Sequence, residues 1–154
     1  MNYSFFNSPL GKLLLISDVE SLVGLYFENM SPKIEGFYKK EDSVIKLAKK
    51  ELELYFNKKL ETFSIPIKLN GTDFQNRVWK ELLNIPYSNT ATYGEIAEKL
   101  KSGPRAVASA IAKNKILIII PCHRVVRKDK TPSGYAGGIE NKEFLLNLEI
   151  STKW

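Results

Sequence analysis

Two apolar runs near the start of the chain, KLLLISD and SLVGLYFE, are separated by polar residues. They predict a hairpin with strands near 12–17 and 22–28. A polar loop, SPKIEGFYKKED, follows. Past Ser43 the period changes: Val44, Leu47, Ala48, Leu52, Tyr55 and Phe56 recur at helical spacing through VIKLAKKELELYFNKK. FSIPIKLNG is a short extended segment that closes this half. Residues 1–70 are therefore expected to form a small α/β domain, an antiparallel sheet plus a helix, with a structural role and no charged constellation of its own.

From residue 71 the pattern is mostly helical. GTDFQNRVWKELLNIP opens with Thr72 and Gln75 at the spacing of a capping box, places Phe74, Val78 and Leu82 on one face, and stops at Pro86. TYGEIAEKL repeats the device with Thr92 and Glu95. After the short break KSG, PRAVASAIAKN begins with Pro104 in its first turn. Two short helices joined by a tight turn predict a helix-turn-helix. The second has a face of small residues, Ala106, Ala108, Ser109 and Ala110, suited to close packing on a neighbouring helix or to close approach to a nucleic-acid groove with Arg105 leading. ILIII reads as a buried strand, and VVRKDKTPSGYAGG as a strand, a turn and a glycine-rich return, like a wing. NKEFLLNLE is a final amphipathic helix with Phe144, Leu145 and Leu148 inward.

Charge changes this picture. The chain has 154 residues and net charge +6, unevenly spread: residues 1–73 are balanced, residues 74–130 carry +7 and residues 131–154 carry −1. A basic segment of this kind fits a polyanionic partner or a solvated basic surface. A hydrophobic fraction of 44% supports a buried core and excludes disorder. No apolar run reaches the ~18 residues of a membrane span. The N-terminus lacks the features of a signal peptide. With one cysteine, a cytoplasmic location is expected, and one cysteine with one histidine cannot build an ordinary zinc site.

That cysteine and that histidine are neighbours, in IIIPCHRVV, inside the basic segment. A thiol needs deprotonation to act as a nucleophile, and a nearby imidazole or cation favours the thiolate. Adjacent residues on an extended strand face opposite ways, so a Cys122–His123 contact needs a turn or a bridging water, and Pro121 argues for a turn. A histidine base needs an orienting third group, for which Glu149 on the final helix is the candidate. A small buried hydrophobe and a structural histidine remain the plain alternative.

PCHRVV followed by GYAGG resembles the O6-alkylguanine-DNA alkyltransferases. The resemblance extends through FQNRVWKELLNIPYSNTATYGEIA, RAVASAIAKN and GYAGGIENKEFLLNLE, essentially residues 71–149, and residues 1–70 are similar to that family's ribonuclease-H-like lobe. It implies that residues 71–154 form a mostly α winged-helix, DNA-binding and alkyl-acceptor domain. It implies that Cys122 takes an alkyl group irreversibly from O6-methylguanine, or O4-methylthymine, in duplex DNA, once per molecule and without a cofactor or metal. His123 would be the base, bridged by water to Cys122 and held by Glu149. Tyr93 would donate a proton to the guanine, and Asn114 would hold the active-site turn. Arg105 would fill the gap left by the flipped base, its helix, with Ala106, Ala108 and Ser109, lying in the minor groove, and Thr92 would also contact DNA. Val125, Tyr135, Ala136 and Gly137 would wall the guanine pocket. The protein would act as a monomer, away from membranes. Two readings from other classes compete: a DNA-binding module that flags damage without transfer, and a cysteine hydrolase with a Cys–His dyad.

Overall fold

The computed structural model describes residues 1–129 and 134–151, and the chain divides into two compact units, Met1–Lys68 and Leu69–Trp154. The first is built on a four-stranded sheet of order β3-β2-β1-β4, where β1 is Asn2–Ser8, β2 Gly11–Ser17, β3 Leu22–Phe27 and β4 Tyr38–Lys39. The hydropathy pattern marks β2 and β3 but not β1, whose residues are mostly half-buried and interrupted by Asn and Ser. Pairing places it instead. β1 runs antiparallel to β2 with Asn2 opposite Ser17 and Ser8 opposite Gly11. Gly11 closes the turn at φ +99°, a conformation few side chains tolerate. β4 adds to β1 in parallel, so the sheet is not wholly antiparallel.

Helix α1, Ser43–Phe56, buries Val44, Ile45, Ala48, Leu52 and Tyr55. Its cap is Asp42: the Asp42 carboxylate accepts from Ile45 N–H at 2.9 Å. The same carboxylate accepts from Asn2 Nδ2 at 2.9 Å and from the Ser17 hydroxyl, so one side chain fastens the helix start to the end of the β1–β2 ladder. Further along α1, buried Glu51 accepts from Ser64 N–H at 2.9 Å and Ser64 Oγ at 2.7 Å, holding the returning segment, whose Ile67 bridges Leu22.

The second unit contains α2 (Asp73–Leu82), β5 (Ala91–Thr92), α3 (Tyr93–Leu100), α4 (Pro104–Ala112), β6 (Val125–Val126) and α5 (Ile139–Ser151). Both predicted capping boxes are present, Thr72 with Gln75 and Thr92 with Glu95, each satisfying two otherwise orphan donors. α2 buries Val78, Trp79 and Leu82, with Phe74 only half-buried. Trp79 Nε1 donates to Ala110 O at 2.9 Å and thereby bolts α2 to α4. Lys101, at φ +53°, ends α3, and Pro104 starts α4, giving the helix-turn-helix. β5 and β6 pair in parallel, Ala91 with Val125 and Thr92 with Val126.

Two expectations change. ILIII is fully buried but is not a strand; it forms a compact turn. Residues 130–133 of the expected wing lie outside the described residues, and residues 134–138 return as a turn leading into α5. On α5, Leu145 and Leu148 point inward as expected, whereas Phe144 is exposed.

Candidate active site

The ILIII segment turns because Asn114 intercepts it. Just past α4, Asn114 Oδ1 accepts from Ile116 N–H at 2.9 Å, and its Nδ2 donates to Ile120 O at 3.0 Å. A strand would need those backbone groups for a ladder. Between them Ile118 sits at φ +71°, bracketed by the bond from Ile119 N–H to Leu117 O, a γ-turn that a β-branched residue enters only under strain. Pro121, at φ −81° and ψ 61°, makes a second turn of the relaxed, opposite hand, closed by Cys122 N–H on Ile120 O at 2.8 Å. The chain then enters a single 3₁₀ turn, Cys122–Arg124, before β6. This is the turn that Pro121 predicts, and it frees Cys122 and His123 from the opposed faces of a strand.

Cys122 is 1% exposed, and Asn114 Nδ2 donates to its Sγ at 3.2 Å. Burial pushes the thiol up to about 11; the Asn114 bond and the charge of Lys142 oppose that push without overcoming it. At rest the residue is a thiol, contrary to what three neighbouring basic residues in sequence imply. Arg124 explains part of this, because its charge is committed elsewhere. Its Nε donates to Glu149 Oε1 at 2.9 Å, Nη2 to Glu149 Oε2 at 3.2 Å and Nη1 to Ile85 O at 2.7 Å.

Glu149 lies at the centre of this network. Oε2 meets His123 Nε2 at 2.6 Å, and Oε1 also accepts from Ser88 N–H at 3.2 Å. Burial alone would raise this carboxyl. The bonds and charges of His123 and Arg124 outweigh that and bring it down to about 2, so it is a carboxylate at any ordinary pH. An acceptor-only carboxylate against Nε2 requires the proton on that nitrogen. The His123 ring is completely buried and its pKa is lowered, chiefly by burial, so it is neutral and presents Nδ1 as a lone pair. His123 Nδ1 is buried with no hydrogen-bond partner among the described residues.

The second unit also holds a cavity of about 650 Å³, within the range of small-molecule sites. Tyr93, Arg105, Ala108 and Ile111 line one side, and Arg127, Tyr135 and Ala136 the other. Burial, with the charges of Cys122 and Glu149, raises the Tyr135 phenol well above its ordinary range. Arg105, Ala106, Ala108 and Ser109 are exposed on α4, but Ala110 belongs to the core. Thr92 is buried with its hydroxyl committed to the α3 cap, which sets it apart from the exposed α4 face. Val125 is buried in β6, Gly137 is buried and Ala136 is exposed. Cys122, His123, Glu149 and Asn114 thus come together, with Tyr93 and Tyr135 at the cavity wall.

Sequence reading passes over Arg124 as an anchor and over Lys142 entirely. Lys142 is 0% exposed, with Nζ 5.9 Å from the centroid of the Tyr93 ring. Burial brings its amine down to about 8, against the pull of Cys122 and with help from Arg127. Its position was legible: it stands three residues before Leu145 and seven before Glu149, on one face of α5. No group of three His, Cys, Asp or Glu among the described residues is placed to hold a metal ion, and no described helix is long and apolar enough to cross a membrane.

Comparison with known proteins meets this geometry from another direction. Residues 1–69 match the family model described as the ribonuclease-like domain of 6-O-methylguanine DNA methyltransferase, and residues 73–151 match its DNA binding domain. A Haemophilus influenzae protein named methylated-DNA–protein-cysteine methyltransferase is 43% identical over 96% of this chain and 85% of the relative. One of the same name from Methanosarcina acetivorans is 41% identical over 98% of this chain and 99% of the relative. Among solved structures, Mycobacterium tuberculosis OGT in complex with DNA superposes with a TM-score of 0.92 at 39% identity, covering 99% of this chain and 94% of that one. With both of its units matched in order and nearly half its residues shared with the H. influenzae relative, the chain belongs to the 6-O-methylguanine DNA methyltransferase family.

Proposed function

We propose that this protein is a single-turnover DNA repair methyltransferase that moves the alkyl group of O6-methylguanine, and of O4-methylthymine, in duplex DNA onto its own Cys122. The observation that carries this reading is the chain Glu149–His123 beside Cys122, with its unpartnered Nδ1, in a unit that also holds a base-sized cavity walled by Tyr93 and Tyr135. Residues 1–70 serve as the structural domain, and residues 71–154 bind DNA and accept the alkyl group.

The chemistry is a displacement. The thiol proton leaves through a water to His123 Nδ1, while His123 Nε2–H keeps donating to the Glu149 carboxylate. The Cys122 sulfur pair forms the new S–C bond, the O6–C bond breaks, and its electrons remain on guanine, which takes up a proton from Tyr93. The His123 imidazolium gives its extra proton to solvent, and solvent reprotonates the Tyr93 phenolate. Atoms and charge balance, and the thioether has no route back to a thiol. A thiol kept protonated at rest is shielded from adventitious oxidation until a base enters. Asn114 keeps Sγ aimed by holding the turn on both sides.

A base inside a duplex is out of reach, so the nucleotide must be everted. Unstacking costs a few kcal/mol, part of which an inserted side chain offsets. Arg105 is the residue that inserts, a reading supported by its exposure at the start of α4. Ala106, Ala108 and Ser109 let that helix approach the minor groove, with Thr92 at the edge of the interface. The net +7 of residues 74–130 supplies sequence-independent, salt-sensitive affinity. Val125, Tyr135, Ala136 and Gly137 form the guanine pocket. A monomer in the cytoplasm, where a lone thiol stays reduced, fits this role.

Mass spectrometry after incubation with duplex DNA carrying O6-methylguanine tests the reading. The Cys122 peptide is expected to gain about 14 Da, the mass of a methyl group replacing hydrogen, with one product per protein molecule. Cys122→Ala is expected to abolish transfer and keep DNA affinity. Repeated turnover, or no shift at Cys122, would overturn it.

A further inference from the structure

Trp79 is the bulkiest fully buried side chain among the described residues. A buried indole N–H needs an acceptor, and here that acceptor is Ala110 O, in the last turn of α4. A longer α4 would give that carbonyl to Asn114 N–H, four residues on. Instead it takes the indole at 2.9 Å and Lys113 N–H at 3.1 Å, and Asn114 N–H closes on Ile111 O at 3.0 Å. Both backbone bonds reach back only three residues, so the helix tightens and stops. Asn114 is then free of the helix, and its side chain takes Ile116 N–H, holds Ile120 O and donates to Cys122 Sγ at 3.2 Å.

The indole is wedged against Gly71: a Cβ there would stand 2.5 Å from ring atom Cη2 and 2.6 Å from Cζ3, closer than side chains pack. Gly71 is tied down in turn. Its N–H donates to Asn76 Oδ1 at 3.0 Å, and Lys115 Nζ donates to the adjoining Asn70 O at 2.7 Å. The stretch from Asn70 to Trp79 thus grips the chain on both sides of Asn114, at Ala110 and at Lys115.

We propose that Trp79 is a positioning residue for the transfer: its hydrogen bond to Ala110 O fixes where α4 ends, and so where the Asn114 amide meets the Cys122 sulfur. The role rests on Cys122 being the alkyl acceptor. Filling the core calls for a large ring, not for an N–H. A single neutral hydrogen bond adds little to stability, whereas a displacement tolerates little error in where the reacting atoms sit. Loss of the N–H therefore bears more on rate than on folding.

Trp79→Phe keeps an aromatic ring and loses the N–H. Its single-turnover transfer, measured at a temperature where the variant is fully folded, is expected to slow about tenfold, short of the ~100-fold that an ångström of misplacement costs. Duplex DNA carrying O6-methylguanine and free O6-benzylguanine are expected to slow by the same factor, because one sulfur attacks both. The ¹⁵N–¹H resonances of the Asn114 side-chain amide are expected to move as well. A wild-type rate in folded Trp79→Phe, slowing confined to duplex DNA, or Asn114 resonances that stay in place overturns the proposal. Gly71→Ala keeps the N–H but pushes the ring with its new Cβ. Equal slowing on both substrates is expected there too, and should Trp79→Phe fail to fold, Gly71→Ala decides by the same measurements. A wild-type protein that takes nothing from either substrate sinks the transferase reading instead, and the Asn114 resonances still report whether Trp79 holds that amide.

Discussion

The two units each hold a carboxylate that gathers several donors, half-buried Asp42 in the first and buried Glu149 in the second, and they use it differently. In the first, Asp42 accepts only from neutral groups: Asn2, Ser17 and the Ile45 backbone. It joins a helix cap to a sheet end, and its charge is balanced by dipoles. In the second, Glu149 accepts from the Arg124 guanidinium, the His123 ring and the Ser88 backbone, in a region that also buries a thiol and an ammonium. Neutral donors are enough to pin a fold. A buried ion pair is a poor stabiliser compared with apolar packing, so its retention calls for another reason. The proposed function supplies that reason as a proton path: a carboxylate held ionised by Arg124 fixes the His123 tautomer that leaves Nδ1 free to accept.

The comparison breaks most sharply at Glu149→Gln. An amide can offer His123 either an oxygen or a nitrogen, so the tautomer is no longer fixed. Transfer from methylated duplex is expected to slow by about 10²–10⁴-fold, the usual contribution of a positioned base. Stability falls too, by roughly 3–5 kcal/mol, because Arg124 is left buried without its counter-charge. Single-turnover kinetics beside melting curves separate the two losses. A variant that melts early yet transfers at the wild-type rate would make Glu149 a pin like Asp42. The pH dependence of melting carries the same signature. Glu149 titrates near 2 in the fold against 4.5 ordinarily, so its stabilisation is complete above about 4.5 and is lost as pH falls toward 2. His123 is held below its ordinary 6.5, so acid also favours the unfolded chain, which takes up that proton more readily. Glu149→Gln is expected to flatten the lower part of this acid loss.

Arg105→Ala sharpens the contrast between chemistry and base eversion within the second unit. Arg105 is exposed and outside the Glu149 network, so its loss leaves the proton path intact. Repair in duplex DNA is expected to slow about tenfold, the equivalent of some 1.4 kcal/mol of unstacking no longer offset. Attack on free O6-benzylguanine, which needs no eversion, is expected to change by less than about twofold on the same argument. Equal slowing on both substrates would remove Arg105 from the eversion step.

How much of this was legible follows from how local each signal is. The boxes Thr72/Gln75 and Thr92/Glu95 were read correctly because a cap is decided within four residues. The strands near 12–17 and 22–28 emerged as β2 and β3 within a residue or so, since their apolar runs are continuous. β1 was invisible because its partner, not its own pattern, makes it a strand. ILIII misled for a related reason. Five aliphatic residues satisfy a strand's composition, and nothing in them shows that Asn114 will take Ile116 N–H and Ile120 O. Ala110 looked like part of a groove-facing set, yet its carbonyl is the one Trp79 needs. Glu149 was nameable in sequence as an acid on the last amphipathic helix. Lys142 escaped because a lysine is read as solvent-facing by default, although helical spacing put it on the buried side.

Asp42→Ala gives the smallest effect and completes the comparison from the other side. It removes the α1 cap and leaves Asn2 and Ser17 without their acceptor, in a region with no catalytic group. Loss of such a cap costs about 0.5–2 kcal/mol, and one or two stranded polar groups raise that to roughly 3 kcal/mol. For a chain of this length each kcal/mol lowers Tm by about 2–4 °C, so a drop of several degrees is expected. Transfer per folded molecule is expected to be unchanged, because the groups named in the Asn114 turn and the Glu149 network all belong to the second unit. Measured at a temperature where the variant is fully folded, a wild-type rate assigns Asp42 to architecture alone. A slowed rate would show that the first unit reaches into the chemistry, and the division of labour between the two carboxylates would then fail.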